Sequence, residues 1–288
     1  MKRYGIWIIL ACALIGALIG AYGALLIVRE AGDLTIRVLV VGQGDAIVIR
    51  TPDHQTILID GGPDDATHRE LSRRLPLFDK TIDLLILTHP HADHVRGFIP
   101  LLQRFNVRRV GISGRTHTSG EYEAFDTSVR QRGISQEPVW QGKKLVLGKD
   151  LSLDILAPLR DERTITDDDL NNSSVVGILT FRSHKILLMG DAGEPVEKEL
   201  MRRDLLSDVD VLKVGHHGSR YASSAEFLKQ VSPETAIISL GAGNDYGHPH
   251  KEALDRLTAA QAKVYRTDIN GTVTIRMRDS ILDIRAQK

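Results

Sequence analysis

Residues 87–97 read LTHPHADHVRG, which sets His89, His91, Asp93 and His94 directly after the apolar run IDLLIL. Imidazole nitrogens and carboxylate oxygens are the donors that Zn²⁺, Mn²⁺ and iron take from proteins. Four such groups on one short turn exceed what a single metal with open positions needs. The pattern therefore predicts two ions, with His89 and His91 on one and Asp93 and His94 on the other. Further segments set reactive residues after apolar runs: KILLMGDAGE with Asp191, KVGHHGS with His216 and His217, and GHPH with His248 and His250. Histidine titrates near neutral pH and is suited to moving a proton at a leaving group. Gly218 and Ser219 offer backbone and hydroxyl donors for a phosphate oxygen. His54, His68, His117 and His184 lie outside these clusters and read as ordinary surface residues.

Residues so far apart in the chain need a scaffold that gathers loops. After Gly32 the sequence breaks into short apolar runs separated by turn residues. LTIRVLVVG, AIVIR and TILID predict three strands. IDLLILT predicts a strand apolar on both faces, as in a sheet covered on each side. RRVGI, LSLDILA, SVVGILTF, KILLMG, VDVLKVG, TAIISLG, AKVYRT and TVTIRM predict further strands. EPVEKELMRR, SAEFLKQV and HKEALDRLTAAQ predict amphipathic helices, with Pro195 in a helix-opening position and His250 placed to cap the last. Strands alternating with helices predict a layered α/β sandwich. Loops at strand ends are where such folds hold ligands.

The chain of 288 residues suits one large α/β domain or two small ones. Its 37 basic residues balance 37 acidic ones. Leaving out residues 1–32, which hold Lys2, Arg3, Arg29 and Glu30, the balance is 34 to 36. No bulk positive charge marks a polyanionic partner, and Arg108, Arg109 and Arg115 are the candidates for a local basic strip. Cys12 is the single cysteine, which excludes a disulfide framework and a thiolate cage. Ile6 to Val28 runs 23 residues without a charge, enough to cross a hydrocarbon layer of roughly 30 Å. Lys2 and Arg3 precede it and direct the rest of the chain outward. The expectation is one N-terminal transmembrane helix within residues 1–32, a cleaved signal segment being the other reading. The helix makes the chain a single-pass protein of the cell membrane, with residues 33–288 as an extracytoplasmic hydrolase domain.

The loop HPHADH resembles the His-x-His-x-Asp-His signature of the metallo-β-lactamase superfamily, and the resemblance covers nearly all of residues 33–288. It implies an α/β fold, the metallo-β-lactamase-like αββα sandwich, with two divalent metal ions, Zn or Mn, as cofactors. On the matching positions, Asp60 in TILIDGG supports the metal loop, Asp191 bridges both ions and His248 is the last metal ligand. His216 or His217 matches the proton donor of the RNA-cutting branches, a metal-ligand role being the other reading. Many members carry a His just before the strand SVVGILTF. Here Asn171 or Asn172 stands in that place, and an amide oxygen is the weaker ligand.

More narrowly, VGQGDA, NNSSVV, LLMGDAG, DVLKVGHHGS, NDYGHPH and VYRTDINGTVTI look like the hydrolase domain of the ComEC family of DNA-uptake proteins. Val40 stands where that family tends to have Asp, and Gly215 where Pro often precedes HHGS. The resemblance implies a free-standing relative working beside an uptake channel rather than forming the pore. The implied activity is hydrolysis of a phosphodiester, DNA first, by water activated between two ions, with His217, His216 and Asp93 catalytic. Two alternatives stand beside it: a hydrolase of a non-nucleic envelope phosphodiester, and a catalytically silent metal-binding module of an uptake assembly.

Overall fold

The computed structural model describes residues 7, 12–17, 32–74, 80–159, 167–278 and 280–288. Among the described residues the strands form two large sheets and one small two-stranded pair. In spatial order the eight-stranded sheet runs Ile281–Ala286, Val273–Arg278, Leu34–Val38, Ile47–Arg50, Thr56–Ile59, Leu84–Leu87, Arg109–Ile112 and Ser135–Pro138. The seven-stranded sheet runs Lys263–Arg266, Thr235–Ile238, Val211–Lys213, His184–Leu188, Val176–Phe181, Leu151–Ala157 and Lys144–Gly148.

The strand Leu84–Leu87 shows why the sheets stack. Successive side chains point to opposite faces. Leu84 and Ile86 enter an apolar cluster shared with Leu153, Leu179 and Ile186 of the other sheet. Leu85 and Leu87 enter a second cluster with Phe98, Leu101 and Phe125. That cluster holds the helices Ala66–Arg74, Phe98–Arg104 and Gly120–Gln131 against the outer face. A third cluster, around Leu187, Leu212 and Ile238, holds Glu194–Arg202, Ala225–Val231 and Lys251–Ala259 on the other side. The order of layers is helix, sheet, sheet, helix, as expected.

Several elements were not legible in advance. The helix Gly120–Gln131 opens on Ser119, whose hydroxyl accepts from the Tyr122 amide, and buries Tyr122, Phe125 and Val129. Ser135–Pro138 lacks any strand signature, and its proline is tolerated because the strand lies at a sheet edge.

The expected membrane anchor is corrected. Most of residues 6–28 lies outside the described residues. Among the described residues no helix is long and apolar enough to cross a membrane. The expectation of a single-pass protein of the cell membrane falls with the anchor.

Thr56–Ile59, Leu84–Leu87, Arg109–Ile112 and Ser135–Pro138 are parallel neighbours, as are His184–Leu188, Val211–Lys213, Thr235–Ile238 and Lys263–Arg266. The loops after these strands carry most of the candidate site residues, while Asn171 and Asn172 lie in the turn Asp167–Ser173 before Val176–Phe181. Two backbone bonds fasten the histidine loop to the turn after Thr56–Ile59: the Gly61 amide donates to the His94 carbonyl at 2.7 Å, and the Gly97 amide to the Gly62 carbonyl at 2.9 Å. A Cβ on Gly97 would lie 1.9 Å from the Gly61 carbonyl oxygen, so only glycine allows this approach. Because backbone atoms cannot yield as side chains do, Gly97→Ala should cost at least about 1–3 kcal/mol. A urea titration of the metal-free chain is expected to show a lower midpoint at unchanged slope.

Candidate metal centre

Four of the sequence-predicted residues meet in one buried cage. The Nε2 atom of His94 lies 3.3 Å from Asp191 Oδ2 and 3.7 Å from Asp93 Oδ2. The Nε2 atom of His217 lies 3.2 Å from the same Asp191 oxygen and 3.4 Å from the same Asp93 oxygen. All four donor atoms fall within 4.8 Å of one another. His94, Asp191 and His217 are buried, and Asp93 is partly open. Yet His94 Nε2, His217 Nε2 and Asp191 Oδ1 have no hydrogen-bond partner. Buried polar atoms are ordinarily satisfied, because leaving one bare costs roughly 1–3 kcal/mol. Two imidazole nitrogens and two carboxylates aimed at one point are the donor set of a divalent cation, so the residues present fit the metal that the sequence predicts.

The backs of both imidazoles are fixed. His94 Nδ1 donates to Asp60 Oδ2 at 2.8 Å, and Asp60 also accepts from the Thr88 amide and hydroxyl at 2.8 and 2.7 Å. His217 Nδ1 donates to the Ser239 carbonyl at 2.9 Å. Each bond sets the tautomer that leaves Nε2 facing the cage. Asp60, His216 and His217 hold left-handed φ angles of 58°, 45° and 52°. Non-glycine residues there cost of order 1–3 kcal/mol each, and such strain gathers at functional sites. Gly44 must be glycine for a related reason: its Cβ would lie 2.2 Å from the Asp93 carbonyl.

A second neighbourhood adjoins the cage. His89 Nε2 lies 3.0 Å from His91 Nδ1, which lies 2.9 Å from Asn171 Oδ1. The Asn171 amide nitrogen is 3.4 Å from His216 Nε2. Asn171, Asn172, Asp191, His216 and Tyr221 line an open cleft of ≈ 350 Å³. Asn172 accepts from the Gly193 amide at 3.1 Å, and the Ser219 hydroxyl accepts from the Tyr221 amide at 3.3 Å. His248 stands outside the cage, its ring centroid 5.5 Å from that of His216 and 6.2 Å from that of His217.

Some residues lie elsewhere than the sequence suggests. His250 occupies the capping position of Lys251–Ala259 without a side-chain capping bond, and accepts from the Arg220 amide instead. His117, read as an ordinary surface residue, lies with its ring 6.1 Å from that of His91. Arg109 opens its strand at the end away from the site, and Arg108 pairs with Asp83 at 3.1 Å. The buried ion pair of Asp45 with Lys213, at 2.8 Å beneath His217, went unread because nothing local in the sequence marks it.

The electrostatics follow from crowding. Burial opposes a charge on His217, but the carboxylates of Asp191, Asp93 and Asp45 outweigh it and lift the imidazole to about 10. His94 is raised well above its ordinary value in the same way, by Asp191, Asp60 and Asp93 against burial. Burial and the neighbouring imidazoles push His248 down to about 4.

The fold, the cage and the sequence point one way. Residues 39–242 match the family model described as the metallo-beta-lactamase superfamily. The chain belongs to that superfamily. Its α/β fold goes with metal-dependent hydrolysis, and the cage is a candidate metal site of that kind. The chain is 33% identical over 259 residues to ComE operon protein 3 of Bacillus subtilis (strain 168), which is 84% of this chain and 33% of that protein. It is 30% identical over 237 residues to competence protein ComA of Neisseria gonorrhoeae, 81% of this chain and 30% of that protein. The expected likeness to the ComEC family stands, and the chain spans about a third of the length of these curated relatives. The metallo-beta-lactamase fold protein YhfI from Bacillus subtilis superposes with a TM-score of 0.55 over 84% of this chain and 99% of that one. At 14% identity that similarity speaks for the shared fold.

Two outcomes test the cage. A group whose pKa is raised on folding stabilises the protein fully below its unfolded value and loses that contribution as pH climbs through the folded one. The metal-free chain should therefore lose stability between about pH 6.5 and 10 as His217 gives up its proton. Zn²⁺ or Mn²⁺ must displace the same protons, so affinity should rise with pH over that window, and calorimetry in buffers of different ionisation enthalpy should show proton release. Separately, Asp60→Ala frees the His94 ring and should weaken metal binding about ten- to hundredfold by competition with a chromogenic chelator.

Proposed function

We propose that the chain is a dinuclear metal-dependent phosphodiesterase acting on DNA in an uptake process, with an uptake channel as its partner. The observation that carries the reading is the buried cage whose inward-facing nitrogens and Asp191 Oδ1 lack hydrogen-bond partners. The competence-protein relatives support DNA as the polymer. Asp93, His94, Asp191 and His217 would hold one divalent ion, Zn²⁺ or Mn²⁺. His89, His91 and Asn171, with Asp191 between, would hold the second. This revises the expected division of roles: His217 is assigned to metal binding because its only inward nitrogen lies in the cage, and His248 is assigned to the rim. A cation bound there supplies Lewis acidity and makes a nearby water more acidic.

The rest falls to the protein's own residues. Asp60 and the Ser239 carbonyl hold His94 and His217 in the tautomer that keeps Nε2 inward. His216 lines the cleft, and burial lowers its pKa from the ordinary imidazole value, which favours the neutral, basic form. From there it can take a proton from water and return it to the departing oxygen. Asn172 and Ser219 keep the cleft walls in place through their bonds to Gly193 and Tyr221.

The test incubates the full chain, loaded with Mn²⁺ or Zn²⁺, with end-labelled single- and double-stranded DNA beside the Asp191→Ala variant. Altering residues behind metal ligands already costs ten- to hundredfold, so loss of Asp191 should lower kcat/KM by more than about a hundredfold. Metal-loaded protein that leaves both DNA forms intact would overturn the reading. Turnover of an envelope-type phosphodiester in its place would shift the substrate class, and bound metal with no turnover on any of them would make the chain a binding module.

A further inference from the structure

Few large apolar side chains are exposed among the described residues, and two of them are tyrosines beside the metal centre. Tyr221 is 69% exposed and Tyr246 67% exposed. Beyond residue 32, every other described Phe, Trp and Tyr side chain is buried or half-buried. Scattered exposed rings need no explanation, but both of these approach the same few residues.

Tyr221 lines the cleft that contains Asp191 and His216. Its backbone is pinned, since the Glu194 amide donates to its carbonyl at 2.8 Å and its own amide donates to the Ser219 hydroxyl at 3.3 Å. Tyr246 reaches the centre from a different loop. Its ring lies nearly flat on His248, at 5.8 Å and 18°, and His248 in turn packs against His216. Asn244 makes this loop rigid: its amide donates to the carbonyls of Gly241 and His248, and its oxygen accepts from the amides of Tyr246 and His248. Two largely exposed rings on hydrogen-bonded backbone therefore stand beside the candidate metal centre.

We propose that Tyr221 and Tyr246 are stacking platforms for unpaired nucleobases flanking the phosphodiester at the metal centre, so that the chain selects single-stranded nucleic acid. The inference rests on the phosphodiesterase reading above and deepens it. Aromatic rings grip successive bases without sequence preference because every base has a π-face, whereas bases paired in a duplex are already stacked and closed to them. Such grip also compensates for the absence of bulk positive charge. Phosphate contacts ordinarily supply most non-specific affinity, and this chain carries no net positive charge for them.

The experiment compares a short single-stranded oligonucleotide, the same strand with abasic sites, and the duplex, using the 288-residue chain loaded with Mn²⁺. Parallel binding measurements by fluorescence anisotropy use the chelator-treated protein. The expected result is that the parent chain favours the intact single strand over the abasic strand by roughly ten- to hundredfold in KM and in Kd. Tyr221→Ala and Tyr246→Ala should each shrink that ratio severalfold or more, while Tyr221→Phe and Tyr246→Phe, which keep the ring, preserve it. If the parent cleaves DNA but the alanine variants discriminate as well as it does, or if the duplex is the better substrate, the stacking inference is overturned and the phosphodiesterase reading stands. If the parent cleaves neither intact nor abasic DNA, the phosphodiesterase reading fails and takes this one with it.

Discussion

His94 and His217 turn their Nε2 atoms toward a single carboxylate, Asp191, inside a pocket that water scarcely reaches. An arrangement of this kind is costly for a protein to fold around. Desolvating charged groups costs several kcal/mol each, and imperfect pairing returns only part of it. The surrounding structure holds those groups in place against that cost. Asp60 secures one imidazole, the Ser239 carbonyl the other, and the Asp45–Lys213 pair lies buried beneath them. A cation in the cage would relieve the crowding, and so folding and metal binding are coupled through the same few atoms.

The two sheets make that crowding possible because their parallel strands end at the site. The histidine loop leaves Leu84–Leu87, Asp191 follows His184–Leu188, His216 and His217 follow Val211–Lys213, and His248 follows Thr235–Ile238. No single loop is long enough to build the centre. Stacking the sheets face to face, with apolar side chains filling the space between them, brings the loop ends together. Close backbone approaches at Gly44 and Gly97 then remove the last slack, since a methyl group at either place would collide with a carbonyl. The paired left-handed residues His216 and His217 complete the turn that swings one ring into the cage and leaves its neighbour on the cleft wall.

Charge is concentrated and hidden in the cage, while the rim offers rings and amides: Asn171, Tyr221, His248 and Tyr246. A chain with balanced charge has no overall field to draw in a polyanion.

The sequence alone determined the candidate metal donors and most of the scaffold. HPHADH packs four donors into one turn, and no distant residue is needed to see what they suit. The alternating apolar faces of IDLLIL announce a strand covered on both sides, because that pattern follows from the pleat itself. Asp191 and the histidine pairs were visible as polar residues at the ends of apolar runs. Which histidine reaches the cage was decided only by the tertiary structure. His217 and His248 lie on separate loops after neighbouring strands, and their relative depth depends on strand register and loop path rather than on residue type. The same holds for Asp45 and Lys213, far apart in the chain and ordinary in isolation, which become a buried pair only when two sheets bring them within 2.8 Å. Local sequence sets donor type and strand direction through short-range sterics. The assignment of each donor to a place in the cage depends on long-range packing, where positions shift by whole side chains with the fold.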